Sequence, residues 1–139
     1  MTEALPILYH DEHLVVIDKP PNLLVHRSEI DRHETRFAIQ ILRDQIGQRV
    51  WPAHRLDRGT SGILLFGLNP EIASILGRQF ETGTVKKRYL AVVRGYPPAE
   101  GSIDHPLSRQ RDPYEFRGER SSVEAQPALT LFRKLAEIE

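Results

Sequence analysis

The chain contains one carboxylate flanked by two arginines, in a segment rich in glycine and hydroxyl residues: residues 54–62 read HRLDRGTSG. Because Arg55 and Arg58 favour the ionised form of Asp57, we expect a carboxylate there at neutral pH, which suits nucleophilic attack better than acid catalysis. The two glycines allow a tight turn and the close approach of a bound group. The same pattern also fits a structural loop in which Asp57 only forms ion pairs, so the residues alone leave both interpretations open.

Other reaction classes lack their sequence signatures. Ser61 is not part of a Gly-x-Ser-x-Gly elbow, and the chain has neither a Gly-x-x-x-x-Gly-Lys phosphate loop nor a Gly-x-Gly-x-x-Gly motif. The absence of cysteine excludes disulfides, thiolate catalysis and cysteine-based metal sites. His10 and His13 lie close together at a predicted turn, and two such histidines are more typical of an exposed turn than of a metal centre. The residues therefore give no signature of a hydrolase elbow, a nucleotide-binding loop or a cysteine-based metal site.

The charge of the chain is balanced overall but uneven along the sequence. The 19 Lys and Arg residues equal the 19 Asp and Glu residues in number, which argues against a protein that coats nucleic acid or membranes through bulk electrostatics. Residues 76–99 nevertheless hold five basic residues and one acidic residue, together with Tyr89. This basic patch predicts either contacts with phosphates or lysines that protect a sheet edge. Its basic members are Arg78, Lys86, Lys87, Arg88 and Arg94.

The length of the chain, 139 residues with 40% hydrophobic residues, suffices for one domain with one core. The first residues lack the basic start and apolar run of a signal peptide. No apolar run approaches the roughly 18 residues that a membrane-spanning helix needs. We therefore expect a soluble, cytoplasmic protein.

Hydrophobic periodicity predicts two helices. Residues 37–46 place apolar side chains mainly on one helical face, and Gly47 is suited to end that helix in the left-handed conformation. Asn69 followed by Pro70 predicts the start of a second helix, which ends at residues 82–83.

Short strands are predicted between and beyond the helices, and polar stretches at residues 29–33 and 102–126 are predicted to be loops or a weakly ordered arm. These elements predict an α+β fold, in which a mixed, mainly antiparallel sheet packs against two helices. The predicted strands lie at both ends of residues 7–18 around a turn at 11–13, at 50–53, at 63–68 as a run buried on both faces, at 90–93, and within 127–139.

The segment HRLDRGTSG is similar to the HRLDxxTSG signature of the RluA-type pseudouridine synthases, in which the Asp is catalytic. Two weaker similarities follow in the family's order. Residues 18–26, DKPPNLLVH, resemble its KPxGllvh segment, and residues 87–91, KRYLA, resemble its KxYxa strand. The surrounding residues resemble a subgroup that modifies uridine 65 of tRNA, beside the junction of the T and acceptor stems. The resemblance extends over about residues 5–135.

The resemblance implies an isomerase that detaches uracil from its ribose, rotates it and rejoins it through carbon, without cofactor or metal, on a base taken out of its stack. Asp57 would attack the nucleotide or abstract a ribose proton, and Tyr89 would stack on the uracil and assist proton removal. Of the two arginines beside Asp57, one would fill the space of the flipped base or touch phosphate, and the other would pair with an acid. Implied contacts with RNA come from His54, Arg55, Arg58, Thr60, Lys86, Lys87 and Arg88.

The sequence departs from the family pattern towards its end. Family members continue into a GRxHQxRxH segment, whose Arg pairs with the catalytic Asp, and residues 100–139 contain no such segment. We therefore expect residues 1–139 to form the N-terminal portion of the catalytic domain. Three hypotheses follow: an active RNA-modifying synthase, a catalytically silent RNA-binding fragment, and a half-domain that self-associates through its incomplete edge.

Overall fold

A computed structural model of the chain describes residues 3–26, 36–107 and 126–139. The chain divides into two compact units, Met1–Lys87 and Arg88–Glu139, each of which is described by itself. The first unit contains four strands and two helices: β1 (Ile7–His10), β2 (Leu14–Lys19), α1 (Ala38–Ile46), β3 (Trp51–Pro52), β4 (Gly62–Gly67) and α2 (Pro70–Glu81). The second unit contains β5 (Glu100–Asp104) and β6 (Leu129–Arg133). The predicted α+β class is confirmed.

The first unit is built on a sheet with the strand order β1-β2-β4-β3, in which all neighbours are antiparallel. Asp11 shapes the turn between β1 and β2, because its carboxylate accepts hydrogen bonds from the N–H groups of His13 at 2.7 Å and Leu14 at 2.9 Å. The hydroxyl of Tyr9 also donates to it at 2.8 Å. These bonds, led by that from His13, lower the pKa of Asp11 to about 2. The predicted turn at residues 11–13 is therefore confirmed.

The core of this unit lies on one face of the sheet. Val15 and Ile17 of β2 and Leu64 and Phe66 of β4 are fully buried there. Ile63, by contrast, is 61% exposed, because successive residues of a strand point to opposite faces. The prediction that residues 63–68 are buried on both faces is thus wrong, and β4 is covered fully on one face only.

Helix α1 packs against this core through Ala38, Ile41 and Leu42. The helix ends as predicted, because Gly47 adopts the left-handed conformation (φ 72°) and its N–H donates to the carbonyl oxygen of Arg43 at 2.9 Å. Just before α1, Leu24 and Phe37 form an isolated parallel bridge. The predicted helix over residues 37–46 is confirmed to within one residue.

Helix α2 begins where the Asn-Pro pair predicts. The side chain of Asn69 accepts a hydrogen bond from the N–H of Ile72 at 2.8 Å, and Pro70 occupies the first turn. The helix lies very close to β4, since a Cβ atom added to Gly67 would lie 2.5 Å from the backbone nitrogen of Ala73. Thr82 caps the end of the helix, and Gly83 follows with φ 74°.

The second unit pairs β5 with β6 as an antiparallel ladder from Glu100↔Arg133 to Asp104↔Leu129. The prediction of a loop from residue 102 is therefore wrong for residues 102–104, because pairing with a distant strand overrides their polar composition. The aromatic ring of Phe132 covers Gly101, where an added Cβ would lie 2.7 Å from the ring. Predicted loop residues 29–33 and 108–125 lie outside the described residues.

The predicted strand at residues 90–93 is not formed. Leu90 is 88% exposed and Val93 is 63% exposed, although their composition favours a strand. A strand needs a hydrogen-bonded neighbour, and the described part of the chain pairs none with this segment, so propensity alone is insufficient. None of the helices in the described ranges is long and apolar enough to cross a membrane.

Candidate active site

Asp57 lies in the loop that joins β3 to β4, and its side chain is exposed to solvent. The preceding residue, Leu56, is 8% exposed and belongs to the core of the first unit. The N–H of Thr60 donates to the carbonyl oxygen of Asp57 at 3.0 Å, which closes a turn. A buried anchor beside an exposed carboxylate holds the acid at the surface, where a substrate can reach it.

Lys19, the last residue of β2, contacts this turn from the interior. Its side chain is fully buried, and its Nζ atom donates to the carbonyl oxygens of Pro20 at 2.9 Å, Leu23 at 2.7 Å and Arg58 at 3.3 Å. Burial lowers the pKa of Lys19, and the negative charge of Asp57 acts in the opposite direction. The ammonium group therefore links β2 to the residue that directly follows the candidate catalytic acid.

A second hydrogen bond joins the same two segments. The N–H of Asn22 donates to the carbonyl oxygen of Arg58 at 2.8 Å. Asn22 has φ 64°, in the left-handed region that asparagine tolerates better than most residues. The family-like segment 18–26 thus has a physical role in this fold, since it holds the turn that carries Asp57.

His54 is held by two elements. Its Nε2 atom accepts a hydrogen bond from the backbone N–H of Leu65 in β4 at 3.1 Å. Its imidazole stacks on the ring of Phe80 in α2, with the ring centroids 4.2 Å apart. Burial, and secondarily the charge of Lys87, lower the pKa of His54, so the neutral imidazole that accepts this bond is favoured. These contacts position the start of the loop, and a direct contact of His54 with substrate stays a prediction.

The other predicted loop residues lie at or near the surface. The Nη1 atom of Arg55 is 2.9 Å from Nε2 of His26, and the imidazole accepts this bond because a guanidinium can only donate. Arg58 is exposed, although its backbone carbonyl oxygen accepts hydrogen bonds from Lys19 and Asn22. Thr60 is half-buried. Arg55 and Arg58 thus place exposed basic residues two positions before and one position after Asp57 in the chain.

The basic patch is divided between the two units. Arg78, Lys86 and Lys87 lie in the first unit and are exposed, and Nζ of Lys87 lies 5.9 Å from the centroid of the Phe80 ring. Arg88 and Tyr89 begin the second unit, where Tyr89 is 61% exposed. The first unit thus brings Lys87 and His54 to the same aromatic ring, which places a cation beside the loop of Asp57. Among the described residues, no three His, Asp or Glu side chains are grouped as metal ligands would be.

A comparison against protein families agrees with the sequence and the basic surroundings of the loop that carries Asp57. Residues 13–139 match the model of the family described as RNA pseudouridylate synthase. The chain belongs to this family. The resemblance carried by residues 54–62 is therefore confirmed.

Relatives within the RNA pseudouridylate synthase family are close in sequence. The chain is 52% identical over 136 residues to the tRNA pseudouridine synthase C of Pasteurella multocida. The aligned region covers 98% of this chain and 56% of that protein. It is 50% identical over 135 residues to the tRNA pseudouridine synthase C of Haemophilus ducreyi, in an alignment that covers 97% of this chain and 55% of that protein. The chain spans about half the length of these curated relatives.

Solved structures of the family share the fold. Human RNA Pseudouridylate Synthase Domain Containing 4 is similar with a TM-score of 0.69 and 27% identity, over 96% of this chain and 54% of that one. Human RNA Pseudouridylate Synthase Domain Containing 1 gives a TM-score of 0.64 and 27% identity, over 93% and 51% of the two chains. The described residues therefore have the fold of the family.

Two structural supports of the site were not predicted from the sequence. Lys19 stood out only as part of a family-like segment, and Phe80 only as an apolar residue of α2. A signal for Lys19 existed, because it follows Val15 and Ile17 at the two-residue period of a strand and so points to the same face of the sheet. No local pattern shows that Phe80 meets His54, since 26 residues separate them.

Proposed function

We propose that this chain contributes the catalytic aspartate of an enzyme that converts uridine to pseudouridine in tRNA. Asp57 is the catalytic residue, and the exposed cations around it bind the RNA backbone. The proposal rests on the membership of the family, on relatives named tRNA pseudouridine synthase C, and on the geometry of the loop. The single observation that carries it is an exposed carboxylate on a turn that buried Leu56 and buried Lys19 hold in place.

The reaction replaces one bond to the ribose with another, and one proton is lost while another is gained. The bond between C1′ of the ribose and N1 of uracil breaks, the base rotates, and C5 bonds to C1′. C5 then loses its proton, while N1 ends with one, so the product is an isomer of the substrate. The Asp57 carboxylate serves either as the nucleophile at C1′ or as the base for a ribose proton, and both roles need it ionised and exposed.

Of the remaining predicted residues, Tyr89 takes part in catalysis and the others act on binding. Tyr89 stacks on the flipped uracil and assists removal of the C5 proton. One of Arg55 and Arg58 fills the space of the flipped base or contacts phosphate, and the other pairs with an acid. The RNA backbone is bound by Lys86, Lys87 and Arg88, and the substrate is also contacted by His54 and Thr60. The exposure of the cations supports these contacts, since a lysine or arginine buried away from solvent cannot reach a phosphate.

The proposed target is uridine 65 of tRNA, as the resemblance of the segments around the signature implies. Relatives at about half identity bear the name tRNA pseudouridine synthase C, which supports tRNA as the substrate. A tRNA substrate also leads us to propose that the protein acts in the cytoplasm.

Release of tritium tests the proposal directly. The full product of the reading frame that encodes this sequence is incubated with tRNA tritiated at uracil C5, and tritium release is counted. We expect release from the wild type and none from Asp57→Asn. Asp44→Asn is the matched control, because Asp44 is exposed and pairs with Arg43 on α1. A tRNA in which position 65 is cytidine should release nothing, whereas equal release from the Asp57→Asn variant rejects the assignment.

A second candidate function is an RNA-binding fragment without catalytic activity. The observation that favours it is that the chain spans about half the length of its curated relatives. On this proposal the 139-residue chain binds tRNA with salt-dependent affinity and releases no tritium, and a lack of binding even at low salt rejects it.

Self-association is the remaining proposal for the isolated chain. The second unit exposes several large apolar side chains, which folded domains normally cover. Light scattering of the 139-residue chain at increasing concentration tests it, with a rising mean mass expected. The most exposed of these side chains are Leu90, Val92, Leu131 and Ile138.

A further inference from the structure

Lys19 is the one charged or polar residue that is buried in the described ranges of the chain. Transferring an ammonium group into the interior costs several kcal/mol unless hydrogen bonds replace its water. The structure supplies three such bonds, one for each N–H of the ammonium, from the carbonyl oxygens of Pro20, Leu23 and Arg58. Lys19 is therefore fully satisfied, and every bond that it makes goes to the main chain.

Carbonyl oxygens solvate the ammonium but do not neutralise its charge. The carboxylate that acts on it is that of Asp57, whose negative charge favours the charged form of Lys19 against the effect of burial. Because the two residues are separated by 38 positions in the chain, no local pattern couples them. The buried cation thus acts on the exposed acid through space, and it also binds the carbonyl oxygen of Arg58, the residue that follows Asp57.

The carbonyl group of Arg58 is held by two hydrogen bonds. The carbonyl oxygen of Arg58 accepts from Nζ of Lys19 at 3.3 Å and from the N–H of Asn22 at 2.8 Å. On its other side, the turn is closed by the N–H of Thr60 on the carbonyl oxygen of Asp57. Replacing Lys19 would remove one of the two bonds and the nearby positive charge, and leave this carbonyl oxygen attached through Asn22.

We propose that Lys19 is a positioning residue for Asp57: its ammonium group fixes the turn of residues 57–60 and places a positive charge near the carboxylate. The inference rests on the proposed function of Asp57 for its catalytic part, whereas its structural part concerns the fold alone. Replacing a lysine that only filled the core would loosen the whole sheet equally. Replacing a positioning lysine loosens the turn first.

The electrostatic part is tested without any activity. The ionisation of Lys19 is followed by NMR through its side-chain Cε and Nζ signals in the wild type, in Asp57→Asn and in Asp44→Asn. Since the charge of Asp57 raises the pKa of Lys19, its removal should lower that pKa, while Asp44→Asn should leave it unchanged. The same titration in all three proteins would overturn the proposal.

The structural part is tested by hydrogen exchange in Lys19→Met, which has nearly the same length without the charge or the donors. We expect the amides of Asn22 and Thr60 to exchange about tenfold faster, with a smaller change for Val15 and Phe66 in the core. Lys134→Met is the matched control, because Lys134 also donates to a carbonyl oxygen, that of Pro97, at 3.2 Å. A uniform change over the whole sheet would identify Lys19 as a core residue only and reject the proposal.

The catalytic part is tested by kinetics on the full reading-frame product, and the structural part is tested a second time by chemical rescue of the 139-residue chain. Lys19→Met should lower kcat by about 10- to 100-fold with little change in KM, because a misplaced reacting group slows the chemical step. In the 139-residue chain, which has no cysteine, Lys19→Cys alkylated in urea with 2-bromoethylamine restores an ammonium at the same place. Refolded protein should regain slow exchange at Asn22 and Thr60, and alkylation with 1-bromopropane should not.

The two proposals fail in different ways. If Asp57→Asn keeps full activity, the proposed function of Asp57 is wrong, whatever Lys19 does. If Asp57→Asn is inactive but Lys19→Met keeps the wild-type kcat and the wild-type exchange at Asn22 and Thr60, the positioning role of Lys19 is wrong and the function of Asp57 stands.

Discussion

The imidazole of His54 stacks on the ring of Phe80, with their centroids 4.2 Å apart and an angle of 18° between the planes. The same imidazole accepts the N–H of Leu65 at 3.1 Å through Nε2. The loop that carries Asp57 is therefore attached at its start to both α2 and β4. Because Nζ of Lys87 also lies 5.9 Å from the Phe80 ring, protonation of His54 would bring two cations close to one aromatic side chain.

Stability should fall as the pH falls through the titration of His54. Burial and then Lys87 lower the pKa of this residue in the folded state, so below about 6.5, the ordinary value, the unfolded chain binds its proton more readily. The stabilisation is thus present above that pH and is lost as the pH approaches the lower folded value. Urea unfolding between pH 7.5 and 5 measures it.

His54→Phe supplies the comparison for this pH dependence. The variant keeps an aromatic ring for Phe80 but leaves the N–H of Leu65 without its acceptor, so we expect a loss of about 1–2 kcal/mol at pH 7.5. Its stability should also depend less steeply on pH between 6.5 and 5. If the free energy of unfolding of His54→Phe depended on pH as steeply as that of the wild type, folding would not lower the pKa of His54.

Asp57→Asn should leave the fold intact. Asp57 is exposed, so its replacement should change the free energy of unfolding by no more than about 0.5 kcal/mol. Thermal and urea unfolding of Asp57→Asn and Asp44→Asn should therefore nearly coincide. A large destabilisation of Asp57→Asn alone would mean that any loss of activity reflects a loss of structure.

Gly67→Ala should destabilise the first unit by about 1–3 kcal/mol, because the new Cβ would lie 2.5 Å from the backbone nitrogen of Ala73 and 2.9 Å from its Cα. Either β4 or the start of α2 would have to move. Gly59→Ala is the control in the Asp57 loop, where an added Cβ meets no atom within 4 Å, and it should change stability by less than about 0.5 kcal/mol. Equal unfolding midpoints for the two variants would contradict the close approach of helix and strand.

Asn69→Ala should cost about 1 kcal/mol, since the N–H of Ile72 loses its side-chain acceptor at the start of α2. Asn69→Asp keeps an acceptor and adds a negative charge at the helix N-terminus, so it should be at least as stable as the wild type. Urea unfolding of the two variants distinguishes the cap from a general requirement for asparagine at this position.

Replacing Lys86 and Lys87 with glutamine should weaken tRNA binding and reduce its dependence on salt. Removing one ion pair between a lysine and a phosphate lowers the slope of log affinity against log salt concentration by about 1, so the double variant should have a slope smaller by about 2. Arg43→Gln is the control, because Arg43 is exposed but pairs with Asp44 on α1. Identical salt slopes for wild type and double variant would remove these lysines from the RNA interface.

Features encoded within a few residues were predictable from the sequence. Asn69 and Pro70 start α2, Gly47 ends α1, and the turn around Asp11 separates β1 from β2, because each uses hydrogen bonds or backbone angles set by near neighbours. The signature around Asp57 also identified the family, since nine residues with a defined order are specific in themselves.

Features that depend on distant partners were decided by the tertiary structure. Residues 90–93 have the composition of a strand and form none, whereas Glu100–Asp104 has a polar composition and pairs with β6. Strand pairing depends on two segments, so the composition of one segment cannot predict it. The same holds for the burial of Lys19 and for the Nε2 contact of His54, because the acceptor Arg58 and the donor Leu65 lie 39 and 11 positions away. The sequence by itself determined which acid and which family to expect, and the packing of β2, β4 and α2 decided which side chains hold that acid in place.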